Sequence, residues 1–319
     1  MEYKDFIHNI KNGIQKIIGN KGKAEIIQVN RNNGIKLDGL IVMDSEKNIS
    51  PTIYLDIYYE QFREGRTETD ILNEIHQLYQ KYSCGMEMDI NIQDLQSYEK
   101  IKKNIAYKVI NYEKNYELLQ EIPHVRFLDM AIVFFVLVPC NNNHSLENAV
   151  FQIRDEHLKM WNTDIGEVYR DALYNTPELF PPKIHCMTDV LTELISKENK
   201  QDVHIQEECN FWHQEIENMK TKEYPCLYVF TNDRNANGAA CLLYKNTLKE
   251  FSEKENTDFY IIPSSVHEVL LISAENNNIS VGDLRKIVEE VNRTELSEEE
   301  ILSDNIYYYH YQTDSFRII

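Results

Sequence analysis

The sequence predicts an α+β protein built from two mixed α/β domains, each with a mainly antiparallel sheet flanked by helices. Three observations point there. Stretches with apolar residues at helical spacing alternate with short apolar runs of strand length. Turn signals such as Asn32-Asn33-Gly34 join neighbouring runs as hairpins. The length of 319 residues exceeds the roughly 250–300 at which a single core stops growing. The polar, turn-prone stretch Pro139 to His144 is the expected break, giving an N-terminal domain over 1–140 and a C-terminal domain over 145–319.

In the first half, Phe6, Ile7, Ile10, Ile14, Ile17 and Ile18 predict an amphipathic helix over Tyr3 to Ile18, ended at Gly19. Ala24 to Val29 and Ile35 to Met43 read as the arms of a hairpin. Ser50-Pro51 reads as a helix start, with Thr52 to Phe62 helical behind it. Thr67 with Asp70 resembles a capping box opening a helix to Tyr82. Asp94 to Lys103 and Tyr112 to Ile122 are expected helices. Ile105 to Ile110 is an expected strand, and His124 to Val138 one or two strands.

The second half begins with the strand Glu147 to Ile153 and the helices Asp155 to Trp161 and Asp164 to Tyr174. Pro177, Pro181 and Pro182 mark a loop, and Met187 to Ser196 a further helix. The charged stretch near 198–223 reads as a solvated helical insertion. Cys226 to Thr231 and Gly238 to Tyr244 read as strands joined by the Asn232 to Asn237 loop. After the helix Thr247 to Glu255 come strands Asp258 to Ile262 and Val266 to Ser273. Helices over Asp283 to Val291 and Glu295 to Ile301, and a closing strand Ile306 to Tyr311, complete the reading.

Charge and composition bound the function. The 52 acidic and 33 basic side chains leave a net charge of -19. Such a surface repels phosphate backbones and anionic lipid, so neither direct nucleic-acid nor membrane binding is expected. It serves solubility, and it also suits a basic partner, including one that normally grips nucleic acid. The longest apolar run, Met130 to Val138, is far short of the roughly 18 residues that span a bilayer. No secretory signal is read at Met1 to Asp5, and the six scattered cysteines, without a CxxC pair, fit reduced thiols in a cytoplasm.

Motifs with diagnostic spacing for dinucleotides, P-loops, zinc proteases, calcium loops or serine hydrolases are missing, so no cofactor is expected. The most site-like stretch is Pro263-Ser264-Ser265-Val266-His267-Glu268. Serine, histidine and carboxylate in one segment suggest hydrolysis, with Ser264, Ser265, His267 and Glu268 as catalytic candidates. If the segment is extended, His267 and Glu268 point to opposite faces, and Ser265 and His267 stand roughly 7 Å apart. The ordinary alternative is a strand start whose hydroxyls bond to backbone. Asn232, Arg234, Asn237 and Gly238 are ligand-binding candidates, because a loop of amides and small residues can cradle a ligand with its N–H groups; the same composition also makes a plain hairpin connection. His204, Cys209 and His213 are candidate zinc ligands, but three groups without a standard spacing favour a charged helix and no metal. Tyrosine is abundant, 20 residues against 12 phenylalanines, with Tyr307-Tyr308-Tyr309 beside Tyr311 suiting an interface or an aromatic core.

The segments taken together, NNGIKLDGL from Asn32, YKVINYEKNYELLQEIPH from Tyr107, LDMAIVFFVLV from Leu128, YVFTNDRNANGAACLLY from Tyr228, FYIIPSSVHEVLLI from Phe259 and LSDNIYYY from Leu302, resemble a bacterial family of anaerobic gut species, domain of unknown function 5688. The likeness covers essentially the whole chain and is weakest from Cys186 to Tyr224. It implies a bacterial cytoplasmic protein carried on mobile elements, with any site in the Asn232 loop and the Ser264 to Glu268 stretch. The expected function is that of a non-enzymatic interaction or regulatory protein with a protein partner. The alternatives are a hydrolase-like enzyme centred on His267 and a nucleic-acid mimic acting against a defence protein.

Overall fold

The computed structural model describes residues 1–44, 52–83, 87–88, 92–141, 148–189, 192, 227–275 and 280–319. The fold is α+β, with mainly antiparallel sheets. The chain forms two compact units, one from Met1–Ile101 with Val136–Phe151, the other from Lys102–Phe135 with Gln152–Ile319.

In the first unit, helix α1 (Tyr3–Ile18) buries Phe6, Ile10, Ile14 and Ile18, the stripe that its 3.6-residue period dictates. Each such side chain contributes about 1.5–3 kcal/mol by leaving water. Gly19 ends the helix at φ 59°, a backbone region that favours glycine. Strands β1 (Gly22–Asn30) and β2 (Lys36–Asp44) pair antiparallel from Gly22↔Asp44 to Asn30↔Lys36. Asn33 (φ 58°) and Gly34 (φ 74°) take the left-handed conformations that the hairpin turn needs.

The expected helix from Thr52 is corrected here. Ile53–Tyr54 is a short strand β3 on the edge of β2, and helix α2 covers only Asp56–Arg63. A β-branched and an aromatic residue beside an open strand edge pair with it in preference to starting a helix. Ser50-Pro51 lies outside the described residues. Helix α3 (Glu68–Ser83) does open on Thr67, whose hydroxyl oxygen accepts the Asp70 N–H at 3.2 Å. Phe6, Ile10, Leu40, Leu55, Ile71 and Ile75 belong to the core where these elements meet. The helix expected over Asp94 to Lys103 is instead a short α4 (Tyr98–Ile101) between two 3₁₀ turns. Strand β4 (Glu87–Met88) pairs with Cys140 and Asn141.

The second unit begins with β5 (Ile105–Asn111). The helix expected over Tyr112 to Ile122 shrinks to α5 (Tyr116–Leu119), because the Asn111 carboxamide accepts the Lys114 N–H and holds 111–114 as a turn. Strands β6 (His124–Phe127) and β7 (Met130–Asn141) form a hairpin. Strand β7 runs on through Pro139 to Asn141. Strand β8 (Asn148–Gln152), all but its last residue in the first unit like β7 from Val136 onward, pairs with β7, and helix α6 (Asp155–Trp161) follows in the second unit. Helix α7 (Ile165–Leu179) continues past the expected end at Tyr174 and takes Pro177 into its last turn.

Strand β9 (Pro182–Cys186) replaces the expected loop; its proline sits at the first residue of a strand at the sheet edge, where a missing N–H costs least. It belongs to a six-stranded antiparallel sheet with β10 (Leu227–Asn232), β11 (Phe259–Ile262), β12 (Val269–Ser273), β13 (Tyr307–His310) and β14 (Ser315–Ile318), in the order β14-β13-β11-β12-β10-β9. Helices α8 (Thr247–Glu255) and α9 (Val281–Thr294) complete the unit. Leu284 and Val288 of α9 pack with Ile262, Ile272 and Ile306.

The triple tyrosine of β13 is held by carboxylates. Tyr307 donates to Asp129 at 2.7 Å, Tyr308 to Asp258 at 2.7 Å and Tyr309 to Asp314 at 2.6 Å. Asp129 also accepts from the Ser303 hydroxyl at 2.6 Å and the Asn305 amide at 3.0 Å. The Leu128 and Leu302 sequence segments thus close on one another through a single carboxylate.

Candidate functional site

The two segments singled out from sequence meet at the ends of β10 and β12. Val266 to Glu268 lie before β12, in a bend, so the expected strand from Val266 is corrected to one beginning at Val269. The bend is pinned on every side. Ser265, buried, accepts the His267 N–H on its hydroxyl oxygen at 3.0 Å and donates its own N–H to the Glu268 carbonyl at 3.1 Å. The Val266 N–H goes to the Glu300 carbonyl at 2.9 Å, and the Val266 carbonyl receives the Ala239 N–H at 3.3 Å. The Thr231 hydroxyl donates to the His267 carbonyl at 2.8 Å. A backbone so fully bonded to its surroundings cannot continue the regular β12 ladder.

The other side is the loop 232–237. Asn232 is 2% exposed and organises it. Its carboxamide oxygen accepts the N–H groups of Arg234 (3.0 Å) and Ala236 (3.4 Å), and its nitrogen donates to the Ala236 carbonyl at 2.8 Å. Asn235 and Asn237 stand at φ 50° and 53°, the left-handed region that asparagine tolerates. The Asp233 N–H bonds to the Pro181 carbonyl, and the Arg234 guanidinium lies 4.9 Å from the Phe180 ring centre. The N–H groups of residues 233–237 therefore each have an acceptor inside the protein.

Gly238 leaves the loop at a point of very close approach. A Cβ there would lie 2.2 Å from the Thr231 hydroxyl and 2.4 Å from the His267 carbonyl oxygen. The expected strand Gly238 to Tyr244 is instead a 3₁₀ helix over Gly238–Leu243, because small buried residues let the chain turn inward where a pleated strand would not fit. It sends Cys241 and Tyr244 into the interior. Burial pushes the Cys241 thiol up to about 12 and raises Tyr244 and Tyr107 well above the ordinary phenol range, so none of the three ionises near neutrality. A cavity of about 10 Å³, room for one water, lies among Tyr107, Phe180, Asn232, Asn237 and Tyr244.

His267 is where the two segments join. Its ring Nδ1 accepts the Asn237 N–H at 3.2 Å, so a neutral ring carries its proton on Nε2. That Nε2 faces Oε1 of Glu300 at 3.7 Å, with side-chain exposures of 41% and 39%. The other carboxylate oxygen of Glu300 is fixed by the Ser297 hydroxyl (2.8 Å) and N–H (3.2 Å). Residues 295–301 form turns here and not the expected acidic helix, since Glu300 caps Ser297 and its carbonyl is drawn to Val266. Among the described residues no hydroxyl bonds to the imidazole, and its neighbouring carboxylate is Glu300, 33 positions from His267, and not the adjacent Glu268. Glu300, Ser297 and Thr231 were not foreseen; the only sequence signal was the capping-box spacing of Ser297 and Glu300.

A family model matches residues 3–311. The chain belongs to the family of unknown function DUF5688. Both segments of the His267 site, and the Asp129 clamp with its partners, fall inside the matched DUF5688 region. No curated protein and no solved structure matches the chain. Among the described residues no group of three or more histidine, cysteine or acidic side chains is placed to hold a metal ion; His204, Cys209 and His213 lie outside those residues. Among them, too, no helix is long and apolar enough to cross a membrane.

Proposed function

We propose that this DUF5688 protein is a non-enzymatic, cytoplasmic interaction or regulatory protein whose partner presents a basic surface. The supporting observation is the state of the His267 ring. A general base needs a lone pair aimed at the proton it removes. The lone pair of the neutral ring is on Nδ1 and is occupied by the Asn237 amide. The loop 232–237 offers no set of open N–H groups for an oxyanion or phosphate, because its amides are bonded internally. What remains is an acidic chain whose net charge of -19 steers a basic partner toward it.

The test has two arms. The purified chain is offered generic ester, phosphoester and peptide substrates; no turnover above that of His267→Ala is expected. Capture from the native host under cross-linking is expected to return one stoichiometric basic protein, whose complex weakens as salt rises past the screening range of exposed charges. Turnover lost in His267→Ala would refute the reading. Displacement of that partner by duplex DNA would favour a mimic of nucleic acid.

A further inference from the structure

We infer that the bond between the Asn237 amide and the His267 ring is a proton-operated latch on the loop 232–237. Only a ring with an unprotonated Nδ1 can accept the Asn237 N–H, held at 3.2 Å. Once the ring takes up a proton it carries N–H at both nitrogens, and the amide then faces a donor. The bond breaks, and the amide or the ring must move.

The surroundings favour release over collapse of the site. Glu300 Oε1, 3.7 Å from Nε2, supplies the counter-charge for the cation, and its own position is fixed through Ser297. Among the described residues Glu300 is the charged group in ion-pair reach of the ring. The other charged residues of the segments that meet here are Glu268 next to the ring in sequence, Asp233 and Arg234 on the loop, and Glu298 and Glu299 on the 295–301 turn. Arg234 is engaged over Phe180. The His267 backbone keeps its bonds to Ser265 and Thr231 whatever the ring does. The amides of Arg234 and Ala236 keep Asn232 as acceptor, and Ala239 keeps the Val266 carbonyl. Release is therefore confined to the end of the loop, at Asn237.

That end has something behind it. Asn232, Ala236 and Asn237 line the small cavity whose remaining walls include Tyr107, Phe135, Phe180 and Tyr244. Closed, the cavity holds one water at most. Moving Asn237 opens it toward an aromatic lining, so the protonation state of the ring sets access to that lining.

The test is amide hydrogen exchange on the full chain, resolved at single residues and corrected for intrinsic rates, from about pH 8 to about pH 5. Asn237 is expected to lose roughly tenfold in protection, the equivalent of one hydrogen bond. Ala239, whose acceptor is the non-titrating Val266 carbonyl, is expected to keep its protection. In His267→Asn the side-chain oxygen stands where Nδ1 was and does not titrate, so Asn237 stays protected at both ends of the range. Equal protection of wild-type Asn237 at the two pH values overturns the latch. So does parallel loss at Ala239, which would mean general loosening. The comparison of Asn237 with Ala239 within the wild type decides the matter even if the variant does not fold.

Discussion

Gly238→Ala probes the joint between the two segments most sharply. The added methyl would sit 2.2 Å from the Thr231 hydroxyl, 2.4 Å from the His267 carbonyl oxygen and 2.9 Å from the Thr231 Cα. Two of these three are backbone atoms, which cannot swing aside as a flexible side chain would. The backbone at Gly238 is not left-handed, so the cost is one of space and not of conformation. Overpacking a tight interior costs about 1–3 kcal/mol. Parting Thr231 from His267 also breaks the 2.8 Å hydroxyl bond, for about 1 kcal/mol more. Together the loss is roughly 3 kcal/mol, which lowers the melting temperature by roughly 6–12 °C in a domain of this size. Calorimetry and urea denaturation read both numbers. The natural control is Gly282→Ala, at the exposed start of α9, where the nearest atom is 3.7 Å from the new Cβ; it should stabilise by roughly 0.5 kcal/mol. If Gly238→Ala melts with the wild type, the close approach does not exist and the site is built differently.

Three further outcomes are expected. Asp129→Ala removes the acceptor of Ser303, Asn305 and the buried Tyr307 and should cost roughly 3 kcal/mol in urea denaturation; Tyr307→Phe, which removes one donor, should cost roughly 1, and equal costs would contradict the clamp. Burial pushes the Tyr58 and Tyr308 hydroxyls up to about 12, and Tyr107, Tyr244 and Tyr307 are raised as well. The unfolded chain releases those protons near pH 10, so stability is full below that and falls as pH rises toward 12. Absorbance of ionised tyrosine should then show a block of residues that titrates only as the protein unfolds; smooth titration of all tyrosines in the folded state is the opposite result. Burial lowers the His157 pKa, and its Nδ1 accepts the Arg154 N–H at 2.9 Å at the start of α6. The unfolded state therefore binds the proton more readily, and stability should decline as pH falls below about 6.5. In His157→Asn that part of the pH dependence should vanish from the denaturation midpoints.

How much of this was legible depended on the range of the interactions. Helix α1 was read to its last residue because its apolar period and Gly19 are both local. The hairpin of β1 and β2 was read for the same reason, from Asn33 and Gly34. Ile53 and Tyr54 misled because their partner, the edge of β2, is invisible to a local window. Gly238 to Tyr244 has strand-like hydrophobicity, yet its turn inward is decided by Thr231 and by His267, 29 positions beyond Gly238. Helix α7 overruns Pro177 because Asn175 and Thr176 tie its last turns to Lys102, Ile105 and Tyr107, contacts about 70 positions away that a local window does not see. Both site segments were picked out, and their meeting was not. Adjacency offers Glu268 as a carboxylate, on the opposite face from the ring if the segment is extended, whereas folding supplies Glu300 from a separate turn.

Nitrogen NMR of ring-labelled His267 at about pH 8 addresses the site directly, since the two ring tautomers have distinct spectra. Protonated Nε2 with Nδ1 bare and accepting from Asn237 is the predicted state. A proton on Nδ1, with the Nε2 lone pair turned to solvent, would contradict it and leave a competent base on the surface.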